Sequence, residues 1–141
     1  STFAQILNKF RQDAFSERDK GYRFERLMQA YLKTTTLYAN LFEEVWLWME
    51  FPFHGQFGGK DTGIDLVART VEGEYWAIQC KCYAANTFIN KPDVDTFLST
   101  SGKRFETESG MTGFVQRLWI STTNKWNSTA EQTIRNQNPP V

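Results

Sequence analysis

Phe3, Ile6, Leu7, Phe10 and Ala14 recur at helical spacing, which predicts an amphipathic opening helix. A polar break over 16–21 separates it from a second stripe of the same period, Phe24, Leu27, Met28, Tyr31 and Leu32. Glu25 lies beside that stripe, at the edge between core and solvent. The β-branched run Thr34-Thr35-Thr36 closes the second helix. From 37 to 53 the periods are mixed. Leu41, Phe42 and Val45 continue a helical spacing, whereas the aromatic run from Val45 to Phe51 suits a strand. A short helical turn leading into a strand at 45–50 is expected, followed by a glycine-rich loop over 52–59.

Alternation of apolar and polar residues predicts the two clearest strands, at 64–70 and 75–83. On the second, Trp76, Ile78, Cys80 and Cys82 share one face and should pack on a helix, leaving Gln79 and Lys81 on the other. The connecting turn sets the register. A two-residue turn at Glu72-Gly73 would put Asp65 opposite Cys80. A three-residue loop, Val71-Glu72-Gly73, places glycine in a left-handed last position and Asp65 opposite Gln79. Turn preference and chemistry agree on the second register, which is the expectation.

Pro92 in a first turn, then Val94, Phe97 and Leu98, predicts a third helix. A polar loop spans 101–113, a strand 114–122, and a Ser128/Glu131 capping-box pattern opens a last helix to about Asn136. The order is helix, helix, three strands, helix, strand, helix, without internal repeats. That is one α/β domain, a mixed β-sheet flanked by helices, over residues 1–141. Residues 137–141 read as the start of a linker, so a fragment of a larger polypeptide is expected.

Length and composition bound the function. A chain of 141 residues with 40% hydrophobic residues and 12 Phe can bury one substantial core. No apolar run approaches the roughly 18 to 20 residues that cross a bilayer, so no membrane partner is expected. Two cysteines make no disulfide framework. With no leader-like N-terminus, a cytoplasmic setting is expected. Sixteen basic residues balance 16 acidic ones, unlike the basic surplus of proteins that grip DNA unaided. Positive charge must be gathered on one face, or another domain must supply the grip.

Asp65, Gln79 and Lys81 carry the candidate chemistry. A carboxylate and an amide offer oxygen ligands that suit Mg²⁺. A fixed ammonium nearby meets the charge that phosphoryl oxygens gain in a transition state. Any one of these residues alone reads as ordinary strand polarity; the three together, behind Gly63-Ile64 and with an apolar opposite face, point to phosphodiester hydrolysis. The other residues with catalytic chemistry read more simply. Cys80 and Cys82 are core thiols, and His54 is a solvated loop histidine. Asp61 is a turn residue or a second acid. Lys60, Lys91, Lys103, Arg104 and Lys125 are loop cations able to touch phosphates. Trp46, Trp48 and Trp126 are core or interdomain residues, and the aromatic density of 45–53 leaves room for docking on a partner domain.

Glu25 in Gly21-Tyr22-Arg23-Phe24-Glu25, Gly63-Ile64-Asp65, Gln79-Cys80-Lys81 and the later Ser121-Thr122-Thr123-Asn124 together resemble the Mrr-like branch of the PD-(D/E)xK nuclease superfamily. Within it they look closest to the N-terminal nuclease domains of single-polypeptide Type ISP restriction-modification enzymes. The likeness runs from about Gly21 to Arg135. It implies a restriction-endonuclease-like fold and a Mg²⁺-dependent endodeoxyribonuclease, with Mn²⁺ able to substitute. Asp65, Gln79, Glu25 and the backbone carbonyl of Cys80 would serve as metal ligands, and Lys81 would orient or activate water. Gln79 stands where the superfamily usually has an acid, so Glu25 matters more here. Implied partners are double-stranded DNA and ATPase/translocase, methyltransferase and target-recognition domains of the same polypeptide. No base-reading motif is present, so cleavage with little intrinsic sequence specificity is expected. The rival readings are a catalytically silent DNA-binding or docking module with this fold, and a nuclease for branched DNA.

Overall fold

In the computed structural model of the protein, residues 2–13, 17–58, 62–83 and 87–141 are described, with the side chains of 17 and 18 excepted. Two helices, α1 (Phe3–Gln12) and α2 (Glu17–Thr34), lead through a short α3 (Thr36–Ala39) into strand β1 (Phe42–Leu47). Strands β2 (Leu66–Thr70) and β3 (Tyr75–Lys81) follow, then α4 (Lys91–Ser101). The chain continues through β4 (Phe105–Thr107), β5 (Gly110–Thr112), β6 (Phe114–Ser121) and α5 (Ser128–Ile134). The main sheet has the order β1-β2-β3-β6, antiparallel except for the parallel β3–β6 pair, and β4-β5 form a separate hairpin. This is the mixed sheet flanked by helices that the sequence predicts.

Strand alternation divides the core. Leu66, Ala68, Ile78 and Cys80 face Phe24, Met28 and Leu32 of α2, with Phe10 of α1 joining them. The stripe that predicts α2 is therefore the surface that covers one face of the sheet. Gln29 anchors it: its buried amide donates to the Val45 carbonyl at 2.9 Å and to Glu50 Oε1 at 3.2 Å. On the opposite face Val67, Tyr75 and Ala77 meet Phe51, Phe57, Phe97, Phe105 and Phe114. Trp46 and Trp48 pack against this second cluster, which takes up the aromatic run of 45–53.

The β2–β3 turn forms as the glycine argument requires. Thr70 N–H donates to the Glu74 carbonyl, Gly73 N–H donates to the Thr70 carbonyl, and Gly73 has φ +89°. Val71-Glu72-Gly73 is thus a three-residue loop, and the ladder it launches pairs Leu66 with Ile78.

Several expectations need correction. The polar break ends by Glu17, where α2 already begins, while Ala14 and Ser16 lie outside the described residues. β1 starts at Phe42, and Trp48–Glu50 is a 3₁₀ turn, not strand, because Glu50 folds back to accept the Leu47 N–H. The polar loop over 101–113 contains the β4–β5 hairpin, with Phe105 buried. The cap of α5 is Asn127, whose side chain accepts from Thr129 N–H; Ser128 is already helical and Glu131 pairs with Arg135. Apart from these corrections, residues 137–141 lie against β6. The Arg117 N–H donates to the Pro140 carbonyl, the Arg117 guanidinium donates to the Pro139 carbonyl and to Gln137, and Val141 packs on the second cluster.

Candidate active site

A cleft of about 420 Å³ opens where β2 and β3 meet the N-terminal part of α2. Glu25, Asp65, Gln79, Cys80 and Lys81 line it, with Lys20, Trp48, Thr62, Gly63 and Cys82 among the other walls. All four residues singled out from the sequence therefore line one cavity.

Asp65 is held from both sides. Its N–H donates to the Ile78 carbonyl at 2.9 Å on β3, and its carbonyl accepts the Trp48 N–H at 2.9 Å from the turn after β1. One step back along the β2–β3 register from Leu66–Ile78, Asp65 falls beside Gln79, but the regular ladder stops there. The carboxylate instead takes the Cys80 N–H on Oδ2 at 2.9 Å. Gly63 allows this approach. A Cβ on it would meet the Phe97 backbone nitrogen at 3.0 Å and its Cα at 3.1 Å, and its φ is +70°. Only glycine lets the segment before Asp65 lie directly on α4.

Glu25 comes from α2 to face Asp65. Burial, the Asp65 charge and a hydrogen bond with Asp65 push its carboxyl from the usual 4.5 up to about 7, while the nearby Lys81 ammonium pulls it back. Two carboxyl groups and an ammonium are thus within electrostatic reach of one another. Two acids so placed disfavour joint ionisation, and a nearby positive charge relieves that.

Gln79 is buried, 3% exposed, and its Oε1 has no hydrogen-bond partner among the described residues. An orphaned amide oxygen on a residue that lines the same cleft as two acids suits a hard divalent ion, which takes oxygen ligands of either charge state. Among the described residues no group of three His, Cys, Asp or Glu has metal-binding spacing. Two acids plus this amide are the available donor set. Cys80 is buried, and burial raises its thiol well above the ordinary range, followed by the Asp65 and Glu25 charges. It is a neutral core thiol.

The remaining candidates separate from the cleft. His54 sits in a 3₁₀ turn with its ring 6.3 Å from Trp48 and does not line the cavity. Lys91 pairs with Asp95 at 2.6 Å, Arg104 donates to the Met111 carbonyl, and Lys125 lies 6.0 Å from the Phe88 ring centroid. Lys60 and Asp61 lie outside the described residues. Sequence reasoning missed Trp48, Lys20 and Thr62 as cleft residues. Trp48 looks like core by pattern alone, and only its N–H bond to Asp65 brings it to the site.

No helix among the described residues is long and apolar enough to cross a membrane. Among curated proteins, none matches the chain in sequence. Among solved structures it is similar to an ATP-dependent Type ISP restriction-modification enzyme, LlaBIII, bound to DNA. The TM-score is 0.68 at 28% identity over 100% of this chain, which spans 8% of that enzyme's chain. The restriction endonuclease family Mrr_cat_2 matches residues 33–141, a range that contains Asp65, Gln79 and Lys81 and leaves Glu25 to stand on geometry alone. The chain accordingly belongs to this restriction endonuclease family.

Proposed function

We propose that this nuclease domain hydrolyses DNA phosphodiesters with Mg²⁺, that it adds little sequence specificity of its own, and that it works within a larger restriction-modification polypeptide. The observation that carries the reading is the convergence of Glu25, Asp65 and Lys81 on one cleft, with the orphaned Gln79 oxygen in its wall. Asp65, Glu25 and the Gln79 amide oxygen are the residues that would hold Mg²⁺, with the Cys80 carbonyl as a further candidate. Bound there, Mg²⁺ supplies Lewis-acid polarisation of the phosphate and a water of lowered pKa.

The chain's own groups do the rest. Lys81 presents a positive charge to the phosphoryl oxygens as water attacks phosphorus and the bond to the leaving oxygen breaks. The Cys80 N–H holds Asp65 in place, and the Trp48 N–H holds the backbone behind it. The likeness to a DNA-bound Type ISP enzyme supports double-stranded DNA as substrate. It also supports ATPase/translocase, methyltransferase and target-recognition domains as partners in the same polypeptide. The balance of 16 basic and 16 acidic residues supports a domain that relies on such partners for its grip on DNA.

The neutral amide at Gln79 favours one rival, a silent module that keeps the fold. Supercoiled plasmid incubated with the domain and Mg²⁺, then with EDTA, separates the two. Nicking that EDTA and Asp65→Ala both abolish is expected. Undiminished nicking by purified Asp65→Ala protein would remove the assignment, and no nicking by the parent domain on any DNA would favour the silent module.

A further inference from the structure

Gln79 Oε1 is not alone in lacking a partner. The indole Nε1 of Trp119 is also buried without a hydrogen-bond partner among the described residues. The two residues stand directly opposite each other on the parallel β3–β6 ladder. Registered residues on adjacent strands project from the same face of the sheet. For Trp119 that face is the α4 side, because its ring lies 5.8 Å from Phe97 and 5.5 Å from Trp126. Gly63, just before Asp65, presses on the backbone of the same Phe97. A residue with a buried free acceptor and one with a buried free donor are therefore neighbours on one face beside the cleft, with no hydrogen bond between them in this structure.

An indole nitrogen only donates, whereas an amide oxygen accepts two hydrogen bonds or ligands. An amide also has two unlike ends. Turned the wrong way, Gln79 would aim an NH₂ at the cation and set two donors against each other at Trp119. A carboxylate at this position would have two equivalent oxygens and no such requirement.

We propose that Trp119 is a positioning residue. Its N–H and the Gln79 amide oxygen do not bond each other in the fold as it stands. With Mg²⁺ held by Asp65 and Glu25, the Trp119 N–H would close on one lone pair of that oxygen and leave the other for the ion. This rests on the Mg²⁺ reading of the cleft. Partners that orient a metal ligand from behind typically account for about 10- to 100-fold in affinity. The need for Trp119 is a consequence of having an amide where an acid would serve unaided.

The test is a double-mutant cycle read by Mg²⁺ titration calorimetry on the 141-residue chain. Trp119→Phe is expected to weaken Mg²⁺ binding by roughly 10- to 100-fold with Gln79 present. In the Gln79→Glu background the same change should stay within about twofold. A purely structural role for Trp119 would cost the same in both backgrounds, and that result, or no loss in either, overturns the proposal. Should Trp119→Phe unfold, Gln79→Leu leaves Trp119 in place. On Mg²⁺ addition the Trp119 indole N–H signal of the parent should shift in a ¹H–¹⁵N spectrum and exchange more slowly with solvent, while in Gln79→Leu it should stay put. An unmoved signal in the parent, or the same shift in both, overturns the proposal. Asp65→Ala separates the two layers. If it binds Mg²⁺ like the parent, the cation reading itself fails. If it loses Mg²⁺ while Trp119→Phe keeps it, only the role of Trp119 fails.

Discussion

The Glu25 carboxyl hydrogen-bonds Asp65 across the cleft, joining a helix to the segment that leads into β2. Two acids so placed resist ionising together. Burial, with the Asp65 charge second, moves Glu25 up to about 7. Between its usual 4.5 and about 7 the folded domain therefore holds a proton that the unfolded chain has lost. Stability contributed by this group is complete below the lower value and is lost as pH rises through the upper one. The melting temperature of the metal-free domain should fall from about pH 5 to about pH 8, and Glu25→Gln should flatten that part of the curve. An unchanged slope in Glu25→Gln would exclude Glu25 as its source.

The same proton must leave when a cation arrives. Mg²⁺ affinity should rise with pH up to about 7 and then level off, with close to one proton released per ion at low pH. Calorimetry in buffers of different ionisation enthalpy measures that release. A proton count near zero at about pH 6 would mean Glu25 is not displaced from its protonated state.

Replacing Gln79 with Glu places a third carboxyl group beside Asp65 and Glu25 in a buried position. Without metal the variant should melt at a lower temperature than the parent, because like charges are crowded together. With Mg²⁺ it should gain more in melting temperature than the parent does, and bind the ion at least as tightly. A variant that melts low and gains nothing from Mg²⁺ would show that position 79 does not face the ion.

Lys81→Ala should slow plasmid nicking by about 10²- to 10³-fold, the range for losing one group aimed at developing charge. Its fold and DNA affinity should change little, since Lys81 is only half-buried at the end of β3. The loss should also push Glu25 still higher, because Lys81 now pulls it down. A melted domain would instead make the lysine structural.

Gly63→Ala should destabilise the domain by about 2 to 4 kcal/mol, combining a strained left-handed backbone with overpacking. Its new Cβ would press on the backbone of α4 at Phe97 and Thr96, which cannot rotate aside as a side chain could. Denaturant unfolding measures the loss. A change below about 0.5 kcal/mol would mean that the segment and the helix separate freely.

Much of this was legible from pattern alone, for reasons particular residues make plain. The stripe from Phe24 to Leu32 has a single solution, a helix laid on the sheet, and Gly73 has a single favourable place in its turn. That turn sets the register as far as Leu66–Ile78. Asp65 lies past the end of the ladder, where it bonds the Ile78 carbonyl and the Cys80 N–H, so the expected pairing with Gln79 does not form. The β4–β5 hairpin escaped because each strand is only 3 residues long and mostly exposed, so no alternation can develop. The cap of α5 escaped because Asn127 and Ser128 are both good cap residues one position apart, and sequence spacing does not choose between them. In the site, residue types and strand faces were readable. The proximity of Glu25 came from the family resemblance and not from pattern, since it depends on how α2 is seated by Gln29 on β1.

The clasp of Arg117 on the carbonyls of Pro139 and Pro140 also has a mechanical side. Load applied at those prolines enters β6, and β6 runs in parallel register with β3 from Tyr75 to Lys81. The first strand to feel a tug is thus the one bonded along its length to the carrier of Gln79 and Lys81. Tension and chemistry in this domain are separated by a single row of hydrogen bonds.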